Sequence, residues 1–313
     1  MKYSILFPFI LIGVFLSGCI TEDLGDCPDD GQLHKITLDL RYEHNMRYTD
    51  EFSSIVDSLE VYVHDDLGNF VEKFNFRKSE ISGNEVELIL PNGEYRITTW
   101  VNRSRNYNPT GTAMRPAATM ELVRNALRES SYVPEALLHG AASIKLWNRD
   151  VRTTIKLIKD TNTIHVTCNF NKVLGTNVTT EARITGQNSI YDFDNNPVRE
   201  PNALTYYIPT ILNTTYAAQS DYSRFTVMRL LSDDDLTLTI TLKTPGSPDE
   251  VLQNRLLTQM LMSYPGYNSN EMLDRQDVYH LTFEFEYNNA DSTWMVVGIW
   301  IDNWDLIGNE TGI

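Results

Sequence analysis

Cys19 is the residue whose type and position most clearly predict chemistry. A basic Lys2 precedes an apolar run over residues 5–16, and two small residues then lead directly into Cys19. A basic start, a short apolar run and small residues before a cut site are typical of a secretory signal peptide. The run is too short to cross a bilayer as a permanent helix. The sequence therefore predicts a signal peptide over residues 1–18 and a mature chain that begins at Cys19.

The tetrapeptide Leu16-Ser17-Gly18-Cys19 resembles the bacterial lipobox, in which the cysteine is acylated and the signal is cut before it. Two or three acyl chains give stable membrane anchoring, whereas a single chain is marginal. Residues 20–26 are polar and acidic and resemble the tether that directs Bacteroidales lipoproteins to the outer surface. We therefore expect lipidation at Cys19, a tether over residues 19–31, and a surface-exposed, lipid-anchored protein of the outer membrane. An ordinary secreted protein is the alternative.

No other residue pattern singles out a catalytic or metal site. The chain has no Gly-x-Ser-x-Gly elbow, no phosphate-binding loop, no His-Glu-x-x-His motif and no dinucleotide fingerprint. Residues 192–196 offer acidic side chains at alternate positions, but Pro197 and Ala203 break the calcium-loop pattern, so an Asx-rich turn is expected. The six histidines are scattered without metal-ligand spacing. We expect no enzyme, no cofactor and no bound metal.

The charge balance argues against a nucleic-acid partner. Asp and Glu number 42 against 26 Lys and Arg, a net charge of −16 at pH 7, and no basic patch is present to neutralise phosphates. Three cysteines do not make a disulfide scaffold. With Cys19 lipidated, Cys27 and Cys168 either pair in an oxidising compartment or stay free, and the sequence leaves this open.

The dominant hydrophobic period after residue 30 is two, which predicts half-buried β-strands. Two alternating runs flank an acidic turn with Gly68 and Asn69, which predicts a hairpin over residues 58–74. Another pair of strands flanks the turn at residues 91–93. Further strands are predicted at residues 35–42, 142–146, 153–159, 164–170, 179–184, 204–208, 225–231, 236–242, 278–287 and 294–301. Many short strands separated by turns favour β-sandwiches.

Two stretches have helix-like spacing of apolar residues and predict helices over residues 119–128 and 249–262. Large aromatic side chains in strands usually pack inward, so Trp100 and Trp300 are predicted core residues of the first and second sandwich. An exposed aromatic platform for carbohydrate is the alternative. A mature length just under 300 residues suits two domains, and we place their boundary near residue 160.

Residues 57–71 (DSLEVYVHDDLGNFV) resemble the first-domain signature of the Bacteroidales fimbrial anchor subunits, lipoproteins at the base of the major and minor fimbriae, or type V pili. Further matches follow in the same order along nearly the whole mature chain. They are Cys19–Pro28, LPNGEY at 90–95, WVN at 100–102, LHG at 138–140, LDRQD at 273–277, LTFEF at 281–285 and GIWIDNW at 298–304. Each motif is weak alone, but together with the lipobox they are specific at the family level.

The resemblance implies a mainly β fold of two tandem transthyretin-like β-sandwich domains with a few short helices, over residues 32–160 and 161–313. It also implies an anchor that joins a fimbrillin-like shaft subunit by strand or face pairing and limits fibre length. Shaft subunits carry a leader with a basic cleavage site. Here residues 19–31 contain no Arg, and the first Lys after Cys19 is Lys35, which lies inside the first predicted strand. Residues 305–313 form only a short segment after the last predicted strand, so strand donation, strand acceptance and docking by a surface face all stay open.

Two other classes of function compete with this interpretation. A surface glycan-binding lipoprotein of a polysaccharide importer would need exposed aromatic rings. A lipoprotein hydrolase would need a pocket with convergent polar groups, and the sequence indicates none, so we rank it last.

Overall fold

The computed structural model describes residues 31–110, 119–122, 136–175, 177–199, 205–207, 210–214 and 220–306. The described chain is mainly β and forms two tandem transthyretin-like sandwiches, which confirms the predicted fold class. Among these residues, no helix is long and apolar enough to span a membrane. The predicted signal peptide, Cys19 and Cys27 lie outside the described residues, and the domain bounds 32–160 and 161–313 stay a prediction.

The N-terminal sandwich is built from a three-stranded and a five-stranded sheet. Its elements are β1 (Leu33–Arg41), α1 (Phe52–Ile55), β2 (Ser58–Asp65), β3 (Phe70–Arg77), β4 (Glu85–Pro91), β5 (Gly93–Val101), β6 (Tyr107–Thr110), β7 (Thr119–Leu122), β8 (Leu138–Leu146), β9 (Val151–Lys156) and β10 (Ile158–Lys159). The sheets have the orders β4-β1-β9 and β10-β8-β5-β2-β3. The predicted β2–β3 hairpin is confirmed, and the turn after β4 carries the chain from one sheet to the other.

The C-terminal sandwich pairs a six-stranded with a four-stranded sheet. Its elements are β11 (Thr161–Phe170), β12 (Thr179–Gly186), β13 (Ile190–Asp192), β14 (Thr205–Tyr207), β15 (Thr210–Thr214), β16 (Ser220–Met228), β17 (Thr237–Lys243), β18 (Glu250–Leu256), α2 (Leu257–Met262), α3 (Asn270–Arg275), β19 (Val278–Asn288), β20 (Thr293–Ile301) and β21 (Trp304–Asp305). The orders are β15-β16-β11-β19-β20-β21 and β14-β12-β17-β18. Alternating apolar residues of both sheets form one continuous core.

The two predicted helices need correction. Residues 119–122 form β7, which pairs with β6 and with β13, and residues 123–128 lie outside the described residues. Residues 250–256 form β18, which pairs with β17, so only residues 257–262 of the second prediction are helical. In both cases pairing with a neighbouring strand overrides a local helical period, because tertiary contacts outweigh the small differences in intrinsic helix propensity.

The prediction for Trp300 was wrong, and a β-bulge explains why. In β20 the side chains of Trp294 and Val296 pack against the core. The pairing with β19 then shifts register by one residue at Val297, so that Ile299 becomes buried and Trp300 points outward with 37% of its surface exposed. One extra residue in a strand reverses the facing of every later side chain.

Candidate functional site

The strand that follows the predicted tether lies in the middle of its sheet. β1 pairs along its length with β4 on one side and with β9 on the other. The side chains of Ile36, Leu38 and Leu40 on this strand are completely buried. A force along β1 would therefore act in shear on two rows of backbone hydrogen bonds.

The outer face of the five-stranded sheet is covered by a loop from the C-terminal sandwich. Phe193 lies on this face with its ring centroid 4.9 Å from that of Tyr62 and 5.9 Å from those of His64 and Trp100. Trp100 is therefore buried as predicted, but it packs with residues of the C-terminal half and not in the N-terminal core. The strand alternation that predicted its burial could not show which of the two faces is covered.

Backbone and side-chain hydrogen bonds fix the position of this loop. Residues 192–196 form the predicted Asx-rich turn, in which Asp192 Oδ1 accepts hydrogen bonds from the N–H groups of residues 194 and 196. The Phe193 carbonyl accepts from Thr98 Oγ1 at 3.3 Å and lies 3.1 Å from His139 Nε2. Burial lowers the pKa of His139 to about 4, so the ring is neutral at pH 7 and its Nε2 carries the proton that is donated.

Charged groups of the two halves pair across the same junction. Arg96 donates to Asp194 at 2.8 Å, and Asn195 Nδ2 donates to Asp160 Oδ1 at 2.9 Å. Asp160 is completely buried between the halves. Burial raises its pKa to about 7, although the nearby Arg229 guanidinium and the Asn195 hydrogen bond act in the opposite direction. Its second oxygen, Oδ2, has no hydrogen-bond partner among the described residues.

Backbone pairing also crosses the junction, since β13 of the C-terminal half pairs antiparallel with β7 of the N-terminal half. Near the other side of the junction, Tyr42 donates to Asp277 at 3.2 Å, and Lys159 forms an ion pair with the same carboxylate at 3.1 Å. The two sandwiches therefore share a sheet, an aromatic cluster and several polar contacts. These contacts hold the two sandwiches against each other.

A cleft of about 440 Å³ lies between residues 42–55 and 275–278. Arg275 is one of the charged residues that line this cleft, and its guanidinium lies 4.4 Å from the Tyr48 ring centroid. The same guanidinium donates to the carbonyls of Glu43 and Asn45 and to the Glu271 carboxylate. These contacts give Arg275 a structural role, since it joins residues of the N-terminal half to residues of the C-terminal half.

An exposed apolar patch lies on β20, and sequence reasoning missed it because the bulge is not visible in the strand pattern. Met295 and Val297 are exposed by 45% and 48%, and Trp300 lies on the same strand. The Trp300 indole packs close over Gly298, whose missing side chain leaves room for it. On neighbouring strands, His280 is exposed and its ring lies 4.5 Å from that of His165.

The fold and these surfaces define a structural two-sandwich β-protein. The chain belongs to the family described as fimbrillin-A associated anchor proteins Mfa1 and Mfa2, whose model matches residues 24–310. This confirms the resemblance found in the sequence, and it implies a location at the cell surface. No curated protein matches the chain.

Solved structures show the same fold. The fimbrial anchor protein Mfa2 from Porphyromonas gingivalis is 20% identical, with a TM-score of 0.73 over 88% of this chain and 99% of that chain. A candidate polysaccharide-binding protein from Bacteroides thetaiotaomicron is 24% identical, with a TM-score of 0.72 over 87% and 97%. A candidate adhesin from the same organism is 22% identical, with a TM-score of 0.71 over 90% and 99%.

Proposed function

We propose that the chain is an outer-membrane lipoprotein that anchors a fimbria to the cell surface and limits its length. In this proposal acyl chains on Cys19 hold the protein in the membrane, residues 19–31 form a tether, and the domains 32–160 and 161–313 hold a fimbrillin-like shaft subunit. The observation that carries the proposal is the family match over residues 24–310. The central position of β1, directly behind the tether, supports it.

The buried position of β1 also bears on how a shaft subunit would attach. An incoming strand that replaced β1 would have to expose Ile36, Leu38 and Leu40, which are completely buried. Burial of each such side chain contributes roughly 1.5–3 kcal/mol, so displacement would cost about 5–9 kcal/mol before any new contact forms. It would also detach the tether from the sandwich. Pairing at an exposed edge avoids both penalties.

Replacing the acylated cysteine tests the membrane attachment. Cys19→Ala should leave the protein folded but release it from the outer membrane, because the acyl chains supply the membrane affinity. Cys27→Ala is the matched control, since it removes a nearby thiol and should leave membrane retention unchanged. The measurement is the fraction of the protein in the outer-membrane pellet, with circular dichroism as the check of folding. Unchanged retention of Cys19→Ala would refute lipid anchoring at this residue.

Glycan binding is the second candidate function, and the exposure of Trp300 is the observation that favours it. An exposed ring beside the hydroxyl of Thr282, its cross-strand neighbour, is a combination that sugars can use. A structurally similar protein from Bacteroides thetaiotaomicron is described as a candidate polysaccharide-binding protein, which is a second reason to test glycan binding. A glycan array with the wild-type protein, Trp300→Ala and the exposed-site control Trp147→Ala tests it. Absence of any wild-type signal would reject this candidate.

A further inference from the structure

We propose that the open edge of β20, with Met295, Val297 and Trp300 on its exposed surface, binds an extended strand of the shaft subunit. The inference rests on the proposed anchoring function and names the surface that would perform it. The bound strand would extend the six-stranded sheet of the C-terminal sandwich. Its main-chain groups would pair with β20, and its side chains would cover the apolar patch.

In the part of the chain that the structure describes, one backbone edge of β20 is unpaired along most of its length. β19 pairs with one edge of β20 from Thr293 to Ile301. On the opposite edge β21 pairs only with Trp300 and Ile301. Within the described residues, no strand pairs with this edge over residues 293–299. Seven residues at about 3.4 Å each give an edge of roughly 24 Å, which is enough for a typical strand.

The sequence of β20 lacks the usual protection of an exposed edge. Natural edge strands carry charged side chains, prolines or bulges that discourage pairing with other chains. The nine residues of β20, TWMVVGIWI, include no charged residue and no proline. Charged residues do occur in β3, β4, β9, β10, β18 and β21, the other sandwich edge strands whose side chains the structure describes.

The bulge at Val297 presents apolar surface and leaves the edge long. It turns Trp300 outward, so that this ring joins Met295 and Val297 on the exposed surface of one strand. The bulge shifts the strand by one residue but adds neither a charge nor a proline, so it gives the edge only weak protection against pairing with another chain. A β-domain that exposes three apolar residues on an uncharged edge has the features of an interaction site.

The chemistry of the edge specifies its occupant. Backbone donors and acceptors along an edge favour an extended peptide over a helix, and the apolar side chains favour a strand with alternating apolar residues. The family to which the chain belongs is described as associated with fimbrillin, and this makes a shaft subunit the occupant that we infer.

Charge insertion at the edge tests the inference in cells that assemble fimbriae. The full-length chain carries the double substitution Met295→Lys and Val297→Lys, and the lipidated protein is purified from outer membranes. We expect recovery of the shaft subunit to fall roughly tenfold or more relative to wild type. Val71→Lys is the matched control, because Val71 lies on the edge strand β3 and is exposed by 41%. Its recovery of the shaft subunit should equal that of wild type.

Thermal unfolding verifies that the variants are folded, and Val297→Lys alone replaces the double variant if the latter loses its native transition. Equal recovery by the edge variant and wild type would overturn the inference, as would a loss confined to Val71→Lys. So would an edge variant that loses self-association or polysaccharide binding but retains the shaft subunit. If the wild-type protein itself recovers no shaft subunit, the proposed anchoring function is refuted. This outcome differs from each result that overturns the β20 inference alone, because in those results the wild-type protein does recover the shaft subunit.

Discussion

Phe193 is the side chain whose removal best tests the junction between the sandwiches. It is 99% buried, and its ring contacts those of Tyr62, His64 and Trp100. Truncation of a buried phenylalanine to alanine costs roughly 3–5 kcal/mol. We expect the upper part of this range, because edge-to-face aromatic pairs add about 0.5–1.5 kcal/mol each beyond area burial. Phe193→Ala should therefore weaken the junction, because Phe193, Tyr62 and Trp100 belong to the C-terminal core cluster, whereas the N-terminal sandwich has a separate core.

Differential scanning calorimetry measures this effect. A loss of 3–5 kcal/mol should lower the melting temperature by at least about 6 °C. Because the junction couples the two halves, the variant should also show two separated transitions where wild type shows one. Trp147→Ala is the control, since Trp147 is exposed by 57% and its truncation should change stability by less than about 0.5 kcal/mol. A single transition within about 2 °C of wild type would refute the claim that Phe193 stabilises the junction.

Three further predictions concern buried groups. The pKa of Asp160 is raised from 3.8 to about 7, so the contribution of this group to stability should fall as pH rises from 4 to 7. Relative to wild type, Asp160→Asn should therefore gain up to roughly 4 kcal/mol at pH 8 and little at pH 4, measured by urea unfolding at both pH values. Gly140→Ala should destabilise the protein by about 1–3 kcal/mol, because a new Cβ would lie 2.5 Å from Ile155 Cγ2. Gly175→Ala is the control, since its Cβ would meet only an ordinary van der Waals contact. Equal urea-unfolding midpoints for the two variants would contradict this prediction. Burial raises the pKa of the Cys168 thiol, so it should resist thiol reagents until the protein unfolds, and rapid labelling of the native protein would contradict its buried position.

Strand positions were predictable because burial on one face imposes a period of two, and that period is visible in β4, β11 and β17. The direction that each strand faces was less predictable. In β20 an inserted residue reversed the facing of Trp300, and the inserted residue leaves no mark in the pattern of apolar side chains. The apolar spacing in β18 is compatible with a helix, but these residues form a strand because they pair with β17. Register and pairing partner are properties of the whole sheet, which a local pattern cannot contain.

The junction was the part of the molecule that the sequence revealed least. Residues 192–196 predicted an Asx-rich turn, and the turn is present. Nothing local indicated that Phe193 would lie against Trp100, 93 positions earlier in the chain, or that Asp160 would be buried beside Asn195. Contacts between distant segments depend on how two finished sandwiches meet. The open edge of β20 was hidden for the same reason.

The location of the fimbriae in a deletion strain tests the central claim most directly. Cells without this chain, and the same cells complemented with wild type or Cys19→Ala, are grown alike, and shaft protein is quantified in the cell pellet and in the medium. The proposed anchor predicts assembled fibres shed into the medium in the deletion strain and with Cys19→Ala, and fibres returned to the cells by wild type. Fibres that stay on the cells of the deletion strain would contradict the anchoring function.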